Sequence, residues 1–202
     1  MWLSDFTLQS IGFRVLTLLI IVGIHGGIVA GAAVLLGDKG PKYDGRLTVL
    51  PANHIDIVGA ASLIIFGLGW SKPMTIDAQQ FRIGRIGIFS VILAGFIGLL
   101  VTAAFLNALI VPALTTLPHT AALTTTAFLK AASSLSIWFA LLSLVPVPPL
   151  SGGLLLYAFG LSFSQQARWI LTVLLVVAVA AGLGRQLLGP VYSLLASVIL
   201  GG

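Results

Sequence analysis

Residues 11–36 read IGFRVLTLLIIVGIHGGIVAGAAVLL, an apolar stretch with one arginine near its start and a single histidine, His25. A helix rises 1.5 Å per residue and the hydrocarbon core of a bilayer is about 30 Å thick, so about 20 apolar residues cross it. The stretch is long for a signal peptide and has no exposed Ala-x-Ala cleavage site. It therefore predicts a retained membrane-spanning helix.

The composition of the whole chain agrees with a membrane protein. Of its 202 residues, 58% are hydrophobic and 7% are charged, whereas soluble domains carry about 25% charged residues. The chain has no cysteine, which excludes disulfides and thiolate metal sites. Its five acidic residues are all aspartates, the last at position 77. The lysines and arginines are scattered, so we expect lipid and no nucleic acid as a partner.

Further apolar stretches predict the rest of the fold. They cover residues 57–70, 84–114, 118–144, 150–163, 168–184 and 191–200. Residues 57–70 are too few for a full crossing and form either a short tilted span or a re-entrant element. We expect an all-α polytopic membrane protein with five to six transmembrane or re-entrant helices, folded as a single domain over residues 1–202.

The polar loop at residues 37–56 interrupts this pattern. Within it, residues 46–50 alternate weakly between polar and apolar, which predicts a short extended segment or hairpin arm. The lysines and arginines of this loop and of the next one do not select an orientation, because a genuine span at 57–70 would place the two loops on opposite sides.

Small residues mark a close-packing face in the stretch 84–114. Glycine and alanine let helices approach closely in lipid, either within the chain or against a partner. The face consists of Gly87, Ala94, Gly95 and Gly98.

The first stretch contains a degenerate metal-binding pattern around His25. In His-Glu-x-x-His helices, the two histidines share one face and bind zinc while the glutamate activates a zinc-bound water. The segment 24–30, IHGGIVA, resembles this motif in the first core helix of the site-2 protease family of intramembrane zinc metalloproteases.

Three further segments resemble the same family in the same order. The first runs through Gly45-Arg46-Leu47-Thr48, Pro51, His54-Ile55-Asp56 and Gly59; the second is Phe66-Gly67 through Trp70-Ser71-Lys72-Pro73; and the third is Val145-Pro146-Val147-Pro148-Pro149-Leu150-Ser151-Gly152-Gly153. The resemblance covers about residues 12–160, with additional C-terminal helices at about 167–202. It implies an integral membrane protein, located in the bacterial cytoplasmic (inner) membrane.

The departures from the family pattern fall on the catalytic positions. His25 retains one ligand position, but the general-base position is Gly26, the second histidine position is Val29 and the third ligand position, an aspartate in the family, is Ser151. One imidazole cannot hold zinc, and the chain has no glutamate. We therefore expect no catalytic residues, no metal site and no cofactor, although zinc is the cofactor of the family.

Other polar residues predict local roles. We expect His25 to hydrogen-bond within the bundle, to Ser143 or Ser151, and His54 and Asp56 to form a surface hydrogen-bonded pair that pins the loop. A metal site rebuilt from His25 with His54, Asp56 or His119 is the alternative. Binding positions implied by the family segments are His54, Asp56, Pro148, Pro149, Gly152 and Gly153.

These observations predict a proteolytically inactive scaffold or accessory subunit that binds a transmembrane helix of another membrane protein. The main alternative is an active intramembrane metalloprotease whose ligands are unusual or supplied by a partner. A channel or transporter subunit is a third alternative, which the scarcity of charged residues within the apolar stretches disfavours.

Overall fold

The computed structural model describes residues 7–201, and over these residues it contains nine α-helices and no β-strand. The helices are α1 (Leu8–Leu36), α2 (Gly40–Tyr43), α3 (Ile57–Phe66), α4 (Ile86–Ala108), α5 (Ile110–Thr116), α6 (His119–Leu144), α7 (Leu154–Ala158), α8 (Gln165–Ala180) and α9 (Leu183–Ala196). Four helical segments are long and apolar enough to cross a membrane: Leu8–Leu36, Ile86–Thr116, His119–Leu144 and Leu183–Gly201. The predicted all-α polytopic membrane fold is confirmed.

Helices α1, α4 and α6 form the centre of the bundle. At the start of α1, the Thr7 hydroxyl accepts a hydrogen bond from the Ser10 backbone N–H in a capping box. In the middle of the bundle, buried apolar side chains of the three helices pack together; they are Leu18, Ile21, Val22, Leu99, Phe139 and Ala140. Each helix is therefore anchored to the other two by apolar contact.

Helix α3 is a short element that ends inside the bundle. Its ten residues span about 15 Å, half of a hydrocarbon core. It ends at Gly67, which has a left-handed backbone conformation, and the Arg14 guanidinium donates to the carbonyls of Ile64 and Ile65 at 2.7 and 2.9 Å. Because Arg14 lies near the beginning of α1, α3 points toward that end of the bundle.

The chain then returns to the end from which it came. The Asp77 backbone N–H donates to Asp38 Oδ2 at 2.9 Å, and the Arg82 N–H donates to the Leu36 carbonyl at 2.9 Å. Residues 38 and 82 thus both lie at the C-terminal end of α1, so the segment that contains α3 is re-entrant. This geometry resolves the choice that the sequence left open.

The predicted extended segment at residues 46–50 is not a strand. Its backbone lies against the glycine face of α1, where a Cβ on Gly23 would lie 2.3 Å from the Val49 carbonyl oxygen and one on Gly27 would lie 2.9 Å from that of Thr48. A backbone that rests on a helix has no neighbouring strand with which to form a ladder. Within residues 7–201, the isolated bridge of the re-entrant segment joins Ile55 to Ser71 instead.

The small-residue face of α4 packs within the chain. A Cβ on Gly87 would lie 2.4 Å from the ring of Phe81, and one on Gly98 would lie 2.3 Å from Ile28. Gly95 faces α1 in the same way, against Val29 and His25. These glycines therefore serve intramolecular packing, and a partner helix would need a different surface.

The re-entrant segment gives the chain a charge asymmetry. Loop residues 37–56 and 71–85 carry six of the ten lysines and arginines, and the hydrogen bonds from Asp77 to Asp38 and from Arg82 to Leu36 join the two loops at the C-terminal end of α1. Basic loops remain on the cytoplasmic side during membrane insertion. We therefore expect this end of the bundle to face the cytoplasm.

The topology can be tested with single cysteines, since the chain has none of its own. Exposed positions are available as Lys42→Cys and Gln79→Cys on the two basic loops and as Thr120→Cys at the start of α6. An impermeant maleimide added to intact cells should label Thr120→Cys, and it should label the other two variants only after the membrane is opened. Labelling of Lys42→Cys and Gln79→Cys from opposite sides would contradict the re-entrant geometry.

Candidate functional site

A cavity of about 630 Å³ lies between α1, the return of the re-entrant segment, the proline-rich turn and α8. Its lining includes His25, Gly26, Val29 and Ser151. The four positions that carry the family's catalytic residues, of which only His25 keeps the family residue, thus border one space although Ser151 is distant from the others in sequence. His25 is eleven residues from the end of α1, so it lies about 16 Å from that end of the helix.

Protein atoms surround the His25 ring on three sides. The side chain is 2% exposed, and its Nδ1 lies 3.1 Å from the Ser71 hydroxyl. The Phe139 ring meets it edge-on with centroids 5.5 Å apart, and Nε2 lies beside Gly95 of α4. His25 is therefore hydrogen-bonded within the bundle as expected.

The hydrogen-bond partner differs from the two predicted serines. Ser143 donates to the Ala140 carbonyl at 2.7 Å, a bond within α6, and Ser151 lines the cavity. Sequence reasoning missed Ser71 because only the return of the re-entrant segment brings it to mid-helix depth.

The space beside Gly26 is filled by the imidazole of His54. A Cβ built on Gly26 would lie 2.1 Å from His54 Nδ1, far inside van der Waals contact. His54 itself is 1% exposed. The position where the family carries its general base can therefore hold no side chain while His54 stays in place.

The His54 ring is fixed by the neighbouring loop. Its Nε2–H donates to the Thr48 carbonyl at 2.8 Å, and Arg46 Nη1 lies 3.5 Å from Nδ1. Burial lowers the pKa of His54 and the charge of Arg46 lowers it further, against the opposing effect of the bond to Thr48. The ring is thus neutral at pH 7, with Nδ1 unprotonated.

Arg46 ties both sides of the re-entrant segment to this ring. Its guanidinium is 9% exposed and donates to the carbonyls of Asn53 and, at 2.9 Å, Pro73. A buried arginine that donates to two loop carbonyls has a structural role, because it satisfies loop backbone at membrane depth.

Asp56 does not pair with His54, so the predicted surface pair is wrong. Asp56 Oδ1 accepts from the Gly59 backbone N–H at 2.7 Å and caps the start of α3. His54 points the other way, into the protein. Each residue has a local structural partner, and Asp56 also lines the cavity.

The proline-rich turn contributes to the cavity through part of its length. Pro148 and Pro149 line it. Gly152 and Gly153 pack against backbone instead, since a Cβ on them would lie 2.4 Å from the Leu144 carbonyl oxygen and 2.8 Å from Pro148 N. A binding role for these positions stays a prediction, whereas the close approach explains why both are glycine.

The side chains around the cavity do not fit zinc. Catalytic zinc takes three protein ligands, and residues 7–201 contain no group of three histidines or carboxylates placed to hold a metal. Of the three family positions, only His25 offers a nitrogen ligand, and its Nδ1 already contacts Ser71. For the alternative of a site rebuilt from His25 with His54, Asp56 or His119, residues 7–201 hold no such group of three ligands, and both ring nitrogens of His54 face the loop and Gly26.

The contact between Gly26 and His54 can be tested by a double-mutant cycle. We expect Gly26→Ala to lower the free energy of unfolding by about 1–3 kcal/mol or more, because its methyl group must displace the ring. In His54→Ala the space is open, so adding Gly26→Ala should cost less, with a coupling of about 0.5–3 kcal/mol. Thermal unfolding in detergent measures both effects.

Gly12→Ala is the matched control for this cycle. It lies on the same helix, and its Cβ would meet nothing within 4 Å, so it should be neutral or stabilising. Additive effects of Gly26→Ala and His54→Ala would show that the ring does not occupy this space.

Comparison with known proteins gives one partial similarity. The chain is 30% identical over 98 residues to a Bacillus subtilis (strain 168) protein named "Putative zinc metalloprotease YwhC". The match covers 48% of this chain and 45% of the relative, so the chain spans less than half the length of that protein. No family model matches the chain, and no solved structure matches it. The similarity is to a protein named as a metalloprotease, in agreement with the family that the sequence motifs resemble.

Proposed function

We propose that this chain is a non-catalytic relative of the site-2 proteases that acts as a scaffold or accessory subunit and binds a transmembrane helix of another membrane protein. The observation that carries the proposal is that Gly26, Val29 and Ser151 border the cavity at the positions of the general base and of two zinc ligands. A general base must reach the water that it activates, and Gly26 has no side chain with which to do so. We place the protein in the bacterial cytoplasmic membrane.

The retained architecture supports a binding role. The chain keeps the re-entrant segment, the proline-rich turn and the cavity between them, although two of the positions that would bind a metal are occupied by Val29 and Ser151. The step from a protease-like fold to helix binding is an analogy at the level of the fold.

An active protease with unusual or partner-supplied ligands is the second candidate. The observation that favours it is that His25 borders an intact cavity with several polar side chains. A partner would then have to contribute the general base and at least two zinc ligands to a space inside this bundle.

Metal content separates the two candidates. We expect zinc far below one ion per chain after gentle purification from native membranes, because within the described residues His25 belongs to no group of three histidine or carboxylate ligands. Elemental analysis measures it, with His25→Ala as the control. Zinc near one per chain that disappears in His25→Ala would contradict the scaffold proposal.

Restoring the family residues tests the assignment of positions. We expect Val29→His with Ser151→Asp to create measurable zinc affinity, because His25 then has two companion ligands on the cavity lining. The same two changes in a His25→Ala background are the matched control and should bind no zinc. Absence of zinc binding by Val29→His with Ser151→Asp, in a variant that remains monodisperse, would count against the assignment of these positions.

The outer face of α4 is the surface on which we would look for a partner. Four apolar side chains at helical spacing are about half exposed or more: Leu93, Ile97, Val101 and Phe105. Photo-crosslinking side chains at positions 97 and 101 should yield one discrete adduct in native membranes. Position 173 on α8, which is 58% exposed, is the control for random collisions with neighbours. The same adducts from α4 and α8, or none from α4, would contradict a partner on this face.

A further inference from the structure

Two cations on the lining of the cavity have no protein partner within the described residues. Lys72 follows the bridge residue Ser71, and Arg168 lies in the first turn of α8. Both line the cavity, both are exposed, and within residues 7–201 neither side chain makes a hydrogen bond or an ion pair. Their charges come from segments nearly a hundred residues apart and face the same space.

The carboxylate of Asp56 on the same lining offsets only one of these two charges. Its Oδ1 accepts from the Gly59 backbone N–H at 2.7 Å, where it caps α3. It forms no ion pair with Lys72 or Arg168 in the described chain. With two cations and one carboxylate, the lining therefore carries an excess of positive charge.

The lining also contains apolar side chains. Val29, Val58 and Leu154 are buried or half-buried and are called its inner wall here, and the buried His25 lies on the same lining. Tyr157 and Trp169 also line the cavity, 39% and 57% exposed, and are residue types typical of the membrane interface. A ligand that suits these side chains carries an anionic group at the interface and an apolar chain.

We propose that the cavity binds an anionic phospholipid, with the headgroup phosphate between Lys72 and Arg168 and part of an acyl chain along the inner wall. Thr75 and Gln165, which also line the cavity, supply neutral donors near the cations. The volume of about 630 Å³ lies within the range of about 300–1,000 Å³ typical of small-molecule sites.

Electrostatic attraction and access from within the membrane favour a lipid over a soluble anion. The anionic lipids of the cytoplasmic leaflet are attracted to lysine and arginine near the surface. They also reach the cavity by lateral diffusion within the membrane. This proposal does not depend on the scaffold role, because an active protease could carry the same site.

Native mass spectrometry of the full chain, delipidated and then loaded with defined lipids, tests the site. Phosphatidylglycerol and phosphatidylcholine are offered at equal concentration, with inorganic phosphate and glycerol phosphate in separate arms. We expect one retained phosphatidylglycerol per chain and a preference of about tenfold over phosphatidylcholine. Lys72→Gln with Arg168→Gln should abolish that preference.

Two sets of variants keep the result interpretable. Lys39→Gln with Lys42→Gln removes two cations from the same end of the bundle but outside the cavity, so the preference should remain. Lys72→Arg and Arg168→Lys keep the charges and should retain the lipid. An equal preference in the wild type and the Lys72→Gln, Arg168→Gln variant, or retention of phosphate without lipid, would overturn the proposal.

Discussion

The structure depends on a face of α1 that carries no side chains. Gly23, Gly26 and Gly27 let irregular backbone and the His54 ring come into direct contact with the helix at membrane depth. Non-helical backbone within a membrane is tolerated only where protein covers it and satisfies its polar groups. Because a methyl group at any of the three positions would collide with the loop, the whole re-entrant segment rests on these glycines.

Arginine side chains complete the burial of that segment. The carbonyls at the C-terminal end of a helix lack partners within the helix, and the end of α3 lies inside the bundle. Arg14 donates to two of them, and Arg185 approaches the Phe66 carbonyl at 3.4 Å. Arg46 serves the loop on the other side of α3. These arginines thus donate the hydrogen bonds that water would otherwise donate to the buried backbone carbonyls.

Hydropathy predicts much of this fold and little of the site. The spanning helices follow from the length of the apolar stretches, because a bilayer imposes one length on every crossing. The identity of the ring beside Gly26 does not follow, since His54 reaches that space through a turn whose shape depends on Arg46, Pro73 and the α1 glycines together. The partner of His25 was missed for the same reason, because Ser71 becomes its neighbour only when the chain turns back.

The re-entrant turn around α3 changes the membrane orientation that the basic loops predict. From the sequence alone, the ten-residue helix α3 could cross the membrane. The two basic loops would then lie on opposite sides, and their lysines and arginines would favour opposite orientations. The contacts from Asp38 to Asp77 and from Leu36 to Arg82 bring the two basic loops to one end, so that their exposed cations add instead of opposing each other. Lys72 and Arg168 both line the cavity. The re-entrant turn therefore determines on which side the basic loops lie and also brings Lys72 to the cavity, and a substitution that converted α3 into a true span would remove both.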